Sequence, residues 1–526
     1  MSMPNYLLAL TFLAMAGFTP AAHAQDVSIP DPGLNVAIRL TLGKPSGPLT
    51  VQDMLSLTNL NASRRNVSSI DGLEAALNLV SLELQINRLT NVALPSQLTN
   101  LSTLDLSANP LTNFSLASGL KSLTSLTIEG AGLSSLTLPA TLTGLTNLDL
   151  EGNNIPSLNL PSNLTSLVTL DLGFNLFTNF SLPDGLTNLT TFYFAGNPLT
   201  NVDLPPGMAG MIELNVSQNL LTSFTLPTGM TNLIELDLAF NQLTNVTLPD
   251  DLRNLVELDL DFNQLAVLNL PSNLTSLGFL HLRANLFTNF TLPAGLAGLT
   301  YLDVSEGPLR AISLPTDLGQ LTALRIAGNT NLTSLILPSG MTNLTGAFLA
   351  NNRLTNVVLP PDLNRLESLN LGGNQLTSLT LPAGLTSLAG LFVVANGLTS
   401  LTLPPDMTNL VALSFLANPV TTFVFSESLA AATNLQVNLT NIADLRNQGV
   451  NVFTYPLAVQ LIRLQQLIGA FQFAIIGPPG VYTVLGSTDL AAWTEVGTLT
   501  NSLGAIVFTD GTAHLSSQKF YRARAP

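Results

Sequence analysis

The side chains of this sequence that could do chemistry gather in one stretch. Glu213, Glu235, Asp237, Glu257, Asp259, Asp261 and Asp303 stand there, with His281, Arg283 and the aromatic Phe240 and Phe262 among them. Three chemistries suit such a set. Two carboxylates flanking a glycosidic bond would serve as acid and base of a glycoside hydrolase, but no pair is set apart from the others. His281, between Asp259 and Asp303 in the pattern, would be held protonated by them or would share a metal with them. One imidazole and two aspartates is a thin ligand set, so no metal and no cofactor is assigned. The third chemistry is recognition, an acidic surface for a basic or hydroxyl-rich ligand with the phenylalanines as an aromatic edge. Against all three stands the plain reading of polar residues on a solvated strand face.

These residues recur because the chain repeats. Glu235-Leu236-Asp237-Leu238-Ala239-Phe240-Asn241 is followed by Glu257-Leu258-Asp259-Leu260-Asp261-Phe262-Asn263 and Phe279-Leu280-His281-Leu282-Arg283-Ala284-Asn285, at a step of 22 residues. The asparagine returns from Asn87 to Asn418, with Arg65, Ala131 and Gly307 in its place at three steps and one residue inserted near Thr330. Leu60-Asn61-Ala62 fits as a first copy and Leu435-Gln436-Val437 as a degenerate last one. In each copy the L-x-L segment alternates with period two, so it predicts a short strand with its leucines inward. The asparagine closes the following turn, where its amide can satisfy backbone groups that an apolar residue would leave unmet. The core line continues through Leu243, Val246 and Leu248, Pro249 ends the extended run, and Leu252 and Leu255 complete the coil.

With this many in-register copies of L-x-L-x-x-N-x-L, the chain resembles the leucine-rich repeat proteins, in particular the bacterial 22-residue kind typified by internalins. The resemblance runs from about Gln52 to Leu445; the recurring L-P-x-G-L on the outer side departs from the internalin pattern. It implies a solenoid, an arc with a parallel sheet on its concave face, and a sheet roughly 80 Å long at the usual strand spacing. It also implies that the residue between the two leucines, and the one before them, face the concave side. That column is acidic in the middle of the array and further back at Asp105, Asp149 and Asp171; it turns apolar at Phe348, Phe392, Val394 and Leu416. The apolar end reads equally as a contact site or as a surface covered by the segment that follows.

Bulk properties narrow the function. A net charge of −15 opposes nucleic-acid binding. Mean hydropathy is +0.40 with only 9% charged residues, yet the apolar residues are dispersed, and no stretch beyond the N-terminus reaches the length of a spanning helix. The absence of cysteine excludes disulfides, thiolate metal sites and a cysteine nucleophile.

Residues 1–24 read as a secretory signal peptide, with an apolar run from Tyr6 to Phe18 and Ala22-His23-Ala24 before Gln25. Residues 25–56 read as a helical cap: Leu34, Ile38 and Leu42 share a face, Gly43 stops the helix, and Thr50 with Asp53 starts a second one. Residues 57–445 form the array, and 446–469 a cap or linker with helix-like spacing from Leu457 to Ile468. Residues 470–526 alternate as a small all-β, sandwich-like domain resembling the terminal modules of exported bacterial proteins, with Trp493 expected in its core. The many N-x-[ST] triplets are by-products of the repeat.

The combined expectation is an exported, secreted or surface-bound bacterial protein that is not an enzyme. It would bind a protein or polysaccharide, a cationic one among the candidates, on the concave face. A spacer of the cell envelope without a specific ligand is the alternative.

Overall fold

The computed structural model describes residues 25–432, 435–437 and 442–525; the expected signal peptide lies outside them. The chain divides into two compact units, one ending at Asn154 and the other beginning at Ile155.

The first unit opens with the helix Pro32–Leu42. Asp31 caps it, accepting the Leu34 N–H at 2.9 Å, and Pro32 needs no such partner at this position. Gly43 ends it in the left-handed region, φ +62°. Leu34, Ala37 and Ile38 are buried, whereas Leu42 is half-buried. The second Asp31 oxygen accepts the Ser68 N–H at 2.7 Å, which ties the helix to the first turns of the array. Thr50 and Asp53 form a capping box at the start of the helix Val51–Leu55. Five parallel strands follow in register, Asn59–Asn61, Ser81–Glu83, Thr103–Asp105, Ser125–Thr127 and Asn147–Asp149.

The second unit carries the longer ladder. It runs in register through Thr169–Asp171, Thr191–Tyr193, Glu213–Asn215, Glu235–Asp237, Glu257–Asp259, Phe279–His281, Tyr301–Asp303 and Ala323–Arg325. Gly346–Phe348, Ser368–Asn370, Gly390–Phe392, Ala412–Ser414 and Gln436–Val437 complete it. Each strand is three residues or fewer, and its central side chain is buried. A repeat of this kind cannot close a core alone; its leucines are covered by the turns on either side.

The repeat asparagine holds the turns together. Asn263 accepts the Leu243 N–H at 3.0 Å and donates to Leu238 O at 3.0 Å, Leu260 O at 3.1 Å and Asp261 O at 3.2 Å. One side chain thus meets four backbone groups in two successive copies, and only an amide both donates and accepts in this way. Where the asparagine is missing, the next copy compensates: Asn153 accepts the N–H of Ala131 as well as that of Leu133. The residue before the asparagine is left-handed, as at Phe240 (φ +55°), Phe262 (φ +54°) and Ala284 (φ +55°), and is glycine at positions such as Gly152 and Gly196.

Two features were not read from the sequence. A second strand in many copies pairs with its neighbour, as Ser223–Thr225 does with Asn245–Thr247. On the same outer side, L-P-x-G and L-P-x-D alternate. The N–H of Gly229, Gly295 and Gly340 donates to Asp251, Asp317 and Asp362 of the following copy, each at 2.7 Å, and Gly384 donates to Asp406. These glycines lie at φ +96° to +98°, and a Cβ on Gly384 would fall 2.5 Å from Pro361 O. No other residue fits there.

The C-terminal end corrects two expectations. Leu457 to Ile468 is not helical: Gln460–Leu467 is a strand that pairs antiparallel with Ala470–Ile476, so the β module starts before residue 470. The apolar spacing there mimicked a helix because the strand is irregular, with a register shift between Ile462 and Gln465. Gln460–Leu467, Ala470–Ile476 and Ala505–Asp510 form one sheet; Thr494–Asn501, Gly480–Ser487 and Phe520–Arg524 form the other. Phe473 and Ile475 of the first pack with Tyr482 and Val484 of the second. Trp493 is not in this core; it is half-exposed, with the Arg522 guanidinium 4.3 Å over its ring.

Candidate binding surface

Two columns of side chains line the exposed face of the main sheet in the second unit. The first reads Glu213, Glu235, Glu257, Phe279, Tyr301, Ala323, Gly346, Ser368 and Gly390. The second reads Asn215, Asp237, Asp259, His281, Asp303, Arg325, Phe348, Asn370 and Phe392. Strand pairing therefore puts Glu213, Glu235, Asp237, Glu257, Asp259, His281 and Asp303 on one face. Asp261, Phe240, Phe262 and Arg283 lie just past the strands, in the turn.

The aspartates of the second column have a local task. Asp237 Oδ1 accepts the Ala239 N–H at 2.9 Å, Asp259 that of Asp261 at 2.8 Å and Asp303 that of Ser305 at 2.9 Å. Asp105, Asp149 and Asp171 do the same in their own turns. This Asx turn explains why Asp or Asn recurs after the first leucine. The sequence showed the recurrence, but the reason for it needs the turn geometry.

His281 cannot play this part, and the preceding copy supplies it: Asp261 Oδ1 accepts the Arg283 N–H at 2.6 Å. Ser305 Oγ likewise accepts the Ala327 N–H at 3.1 Å in the copy of Arg325. A non-acceptor in the column, preceded 22 residues earlier by Asp or Ser two places further on, was a legible signal. It went unread.

Charge accumulates in the middle of the face. Burial, and then the neighbouring Glu257, Glu213 and Asp237, push the Glu235 carboxyl above its ordinary range. Asp259 is raised by burial, with the charges of Asp237 and Glu257 adding to it against the Asp261 N–H and His281. Asp261 rises to about 6 through burial and the proximity of Asp259. Glu213 is shared with Tyr193, whose hydroxyl donates to it. That bond, then burial, lifts the tyrosine to about 12.

The metal-like grouping differs from the one expected. Asp259, Asp261 and His281 bring one ligand atom each to within 4.8 Å of one another, and Asp303 is not in that group. The His281 Nε2 also lies 3.7 Å from Glu257, and its ring is 4.8 Å from that of Tyr301. Arg283 turns away from these acids: its guanidinium donates to Glu306 at 2.6 Å and sits 5.3 Å over the Phe262 ring. Phe262 in turn stacks on Phe240, with centroids 4.5 Å apart, and Phe240 is 52% exposed.

Further along, the face becomes aromatic by construction. Gly346 and Gly390 are buried beneath the rings two residues on: a Cβ at either would meet Cε2 of Phe348 or Phe392 at 2.9 or 3.0 Å. The motif G-x-F seats each ring against its own strand. Arg325 lies 4.6 Å over the Phe348 ring and 6.0 Å over that of Tyr301. Leu416 remains 47% exposed.

A search of curated proteins finds no match. Among solved structures, the functional domain of InlJ from Listeria monocytogenes is 18% identical over 86% of this chain and 97% of its own, with a TM-score of 0.55. YopM from Yersinia enterocolitica is 23% identical over 80% of this chain and 94% of its own, with a TM-score of 0.52. Both likenesses show the leucine-rich repeat fold. The family model for the BspA-type leucine-rich repeat region matches residues 84–170, 173–285 and 325–436 in six copies. More than half of the chain fits that model, and the protein belongs to the BspA-type leucine-rich repeat family.

Proposed function

We propose that this is an exported, non-catalytic binding protein whose partner, a protein, docks on the exposed face of the main sheet in the second unit. One observation carries the reading. Between Glu235 and Phe392 the face departs from the Asp or Asn that the turn requires, at His281, Arg325, Phe348 and Phe392. At His281 and Arg325 the preceding copy makes good the lost cap. Residues that the fold does not need, and twice compensates for, mark a surface shaped for something else. Glu235 and Glu257 add acidity beside it, with only the His281 ring set against Glu257, at 3.7 Å, which favours a cationic partner. The carboxylates form a repeated series in which Asp237, Asp259 and Asp303 are engaged in turns, an arrangement suited to binding and not to acid–base work. Export rests on the sequence of residues 1–24; no helix among the described residues is long and apolar enough to cross a membrane.

The test is a pull-down from envelope and extracellular proteins with the chain from Gln25. Wild type is compared with a variant carrying Glu235→Gln, Asp237→Asn, Glu257→Gln, Asp259→Asn and Asp261→Asn. The amides keep the turn bonds and remove the charge; the one further loss is the bond that Asp237 Oδ2 accepts from Asn215. Capture by wild type alone supports the reading. Equal capture moves the site off the acidic part of the face, and capture by neither favours an envelope spacer.

A further inference from the structure

The exposed face of the second unit has two chemically different ends, and from them we infer the form of the partner. The ligand is an extended protein segment with a basic block at one end and an aromatic or aliphatic block about six to nine residues away. This rests on the reading of that face as a binding surface and adds the ligand's polarity and length.

The acidic end is Glu235 and Glu257, in adjacent rungs beside Asp237 and Asp259. Asp237 and Asp259 each hold a turn N–H, whereas the two glutamates flank the column and are free of that duty. Four carboxylates on two neighbouring strands repel one another, and a Lys or Arg side chain laid over them relieves the repulsion. The other end is the aromatic floor, where Phe348 and Phe392 lie over Gly346 and Gly390. It is a built feature. Two glycines in the same register seat two rings two rungs apart, and a Cβ at either would push the ring from its present position. The Phe348 ring already carries one cation, from Arg325, so this end does not call for a second basic block. It calls for apolar side chains that fill the space along the rings.

The separation follows from the register. Four strand steps lie between Glu257 and Gly346, and six between Glu257 and Gly390. At about 4.8 Å per step these are about 19 and 29 Å along the sheet. An extended chain covers about 3.3 Å per residue, hence six to nine residues between the blocks.

The test uses synthetic peptides carrying a Lys-Arg block and a Phe-Leu block, joined by Gly-Ser spacers of increasing length, with binding read by fluorescence anisotropy. Affinity is expected to peak at spacers that place the blocks about six to nine residues apart, at least tenfold above the shortest spacer and above either block alone. Glu235→Gln with Glu257→Gln should flatten the salt dependence of the best peptide. Phe348→Ala with Phe392→Ala should remove the spacer optimum and leave binding of the basic block unchanged. That last readout also shows that the double variant is folded. Affinity independent of spacer length, or equal for the basic block alone, overturns the inference. Tighter binding of β-linked oligosaccharides than of any peptide, lost in the Phe348→Ala, Phe392→Ala variant, overturns it in favour of a glycan. If the peptides fail while the pull-down still depends on the acidic residues, only this inference falls; if neither shows binding, both do.

Discussion

Asp261 offers a direct measurement of what the acidic face costs the fold. Its carboxyl is raised from the ordinary 3.8 to about 6, by burial first and by Asp259 second. A rise of about two pH units corresponds to about 3 kcal/mol against the folded state at neutral pH. The side chain is only partly buried, so solvent screening reduces the expected effect to about 1–2 kcal/mol. The sign is that of an acid whose folded form prefers the proton. The penalty is complete above about pH 6, shrinks as pH falls, and is gone below 3.8, where both states are protonated. Asp261→Asn keeps an oxygen to accept the Arg283 N–H and removes the charge. The variant should therefore be more stable than wild type by about 1–2 kcal/mol near neutral pH, and nearly equal to it at about pH 3. Urea denaturation followed by circular dichroism at the two pH values gives the comparison. A variant that is less stable at both, or whose gain persists unchanged in acid, would refute the reasoning.

Three further outcomes follow from the fold. Asn263→Ala leaves the Leu243 N–H unmet and removes one of the two donors to each of the Leu238 and Leu260 carbonyls, which keep Asn241 and Asn285, and should cost about 1–3 kcal/mol in urea denaturation. Asn263→Asp should be nearly as damaging, because a carboxylate cannot donate. Gly384→Ala forces a side chain into φ +97° and against Pro361 O, and should lower stability by at least about 1–3 kcal/mol in the same assay. Asp510 is buried. Although burial opposes its charge, bonds from Lys519, Thr512 and Tyr521 hold it at about 2. The stability it lends is present above pH 3.8 and is lost as pH falls through about 2, so Asp510→Asn should cost about 2 kcal/mol at neutral pH. Trp493, the sole tryptophan, reports that loss by fluorescence.

The array was legible because its physics is periodic. An alternating Leu pair, an asparagine and a fixed 22-residue step leave one solution, and the same register predicted which of Glu213 to Asp303 would share a face. Asp261 was misplaced on the strand because it follows a leucine like the others, yet the turn begins before it. His281 was grouped with Asp303 by column order, whereas its second carboxylate partner comes from the turn of the preceding copy. The G-x-F seats and the L-P-x-G to L-P-x-D pairing involve two residues whose meaning appears only when both are placed in space. The segment Leu457 to Ile468 misled because a bulged strand scatters its apolar residues with a spacing that passes for helical.

The glycine-to-aspartate bond on the outer side has a consequence for how such a protein lengthens. From Gly295 to Asp406 each donor glycine is answered by the aspartate one copy later, so the copies come in couples: Gly295 with Asp317, Gly340 with Asp362, Gly384 with Asp406. Excising one 22-residue copy would set glycine beside glycine, with an unanswered N–H, or aspartate beside aspartate, with two carboxylates facing each other. Excising a couple leaves every bond intact. In this stretch the unit that recombination can add or remove without damage is therefore the couple, and the gene should grow and shrink by twice the repeat that the leucines define.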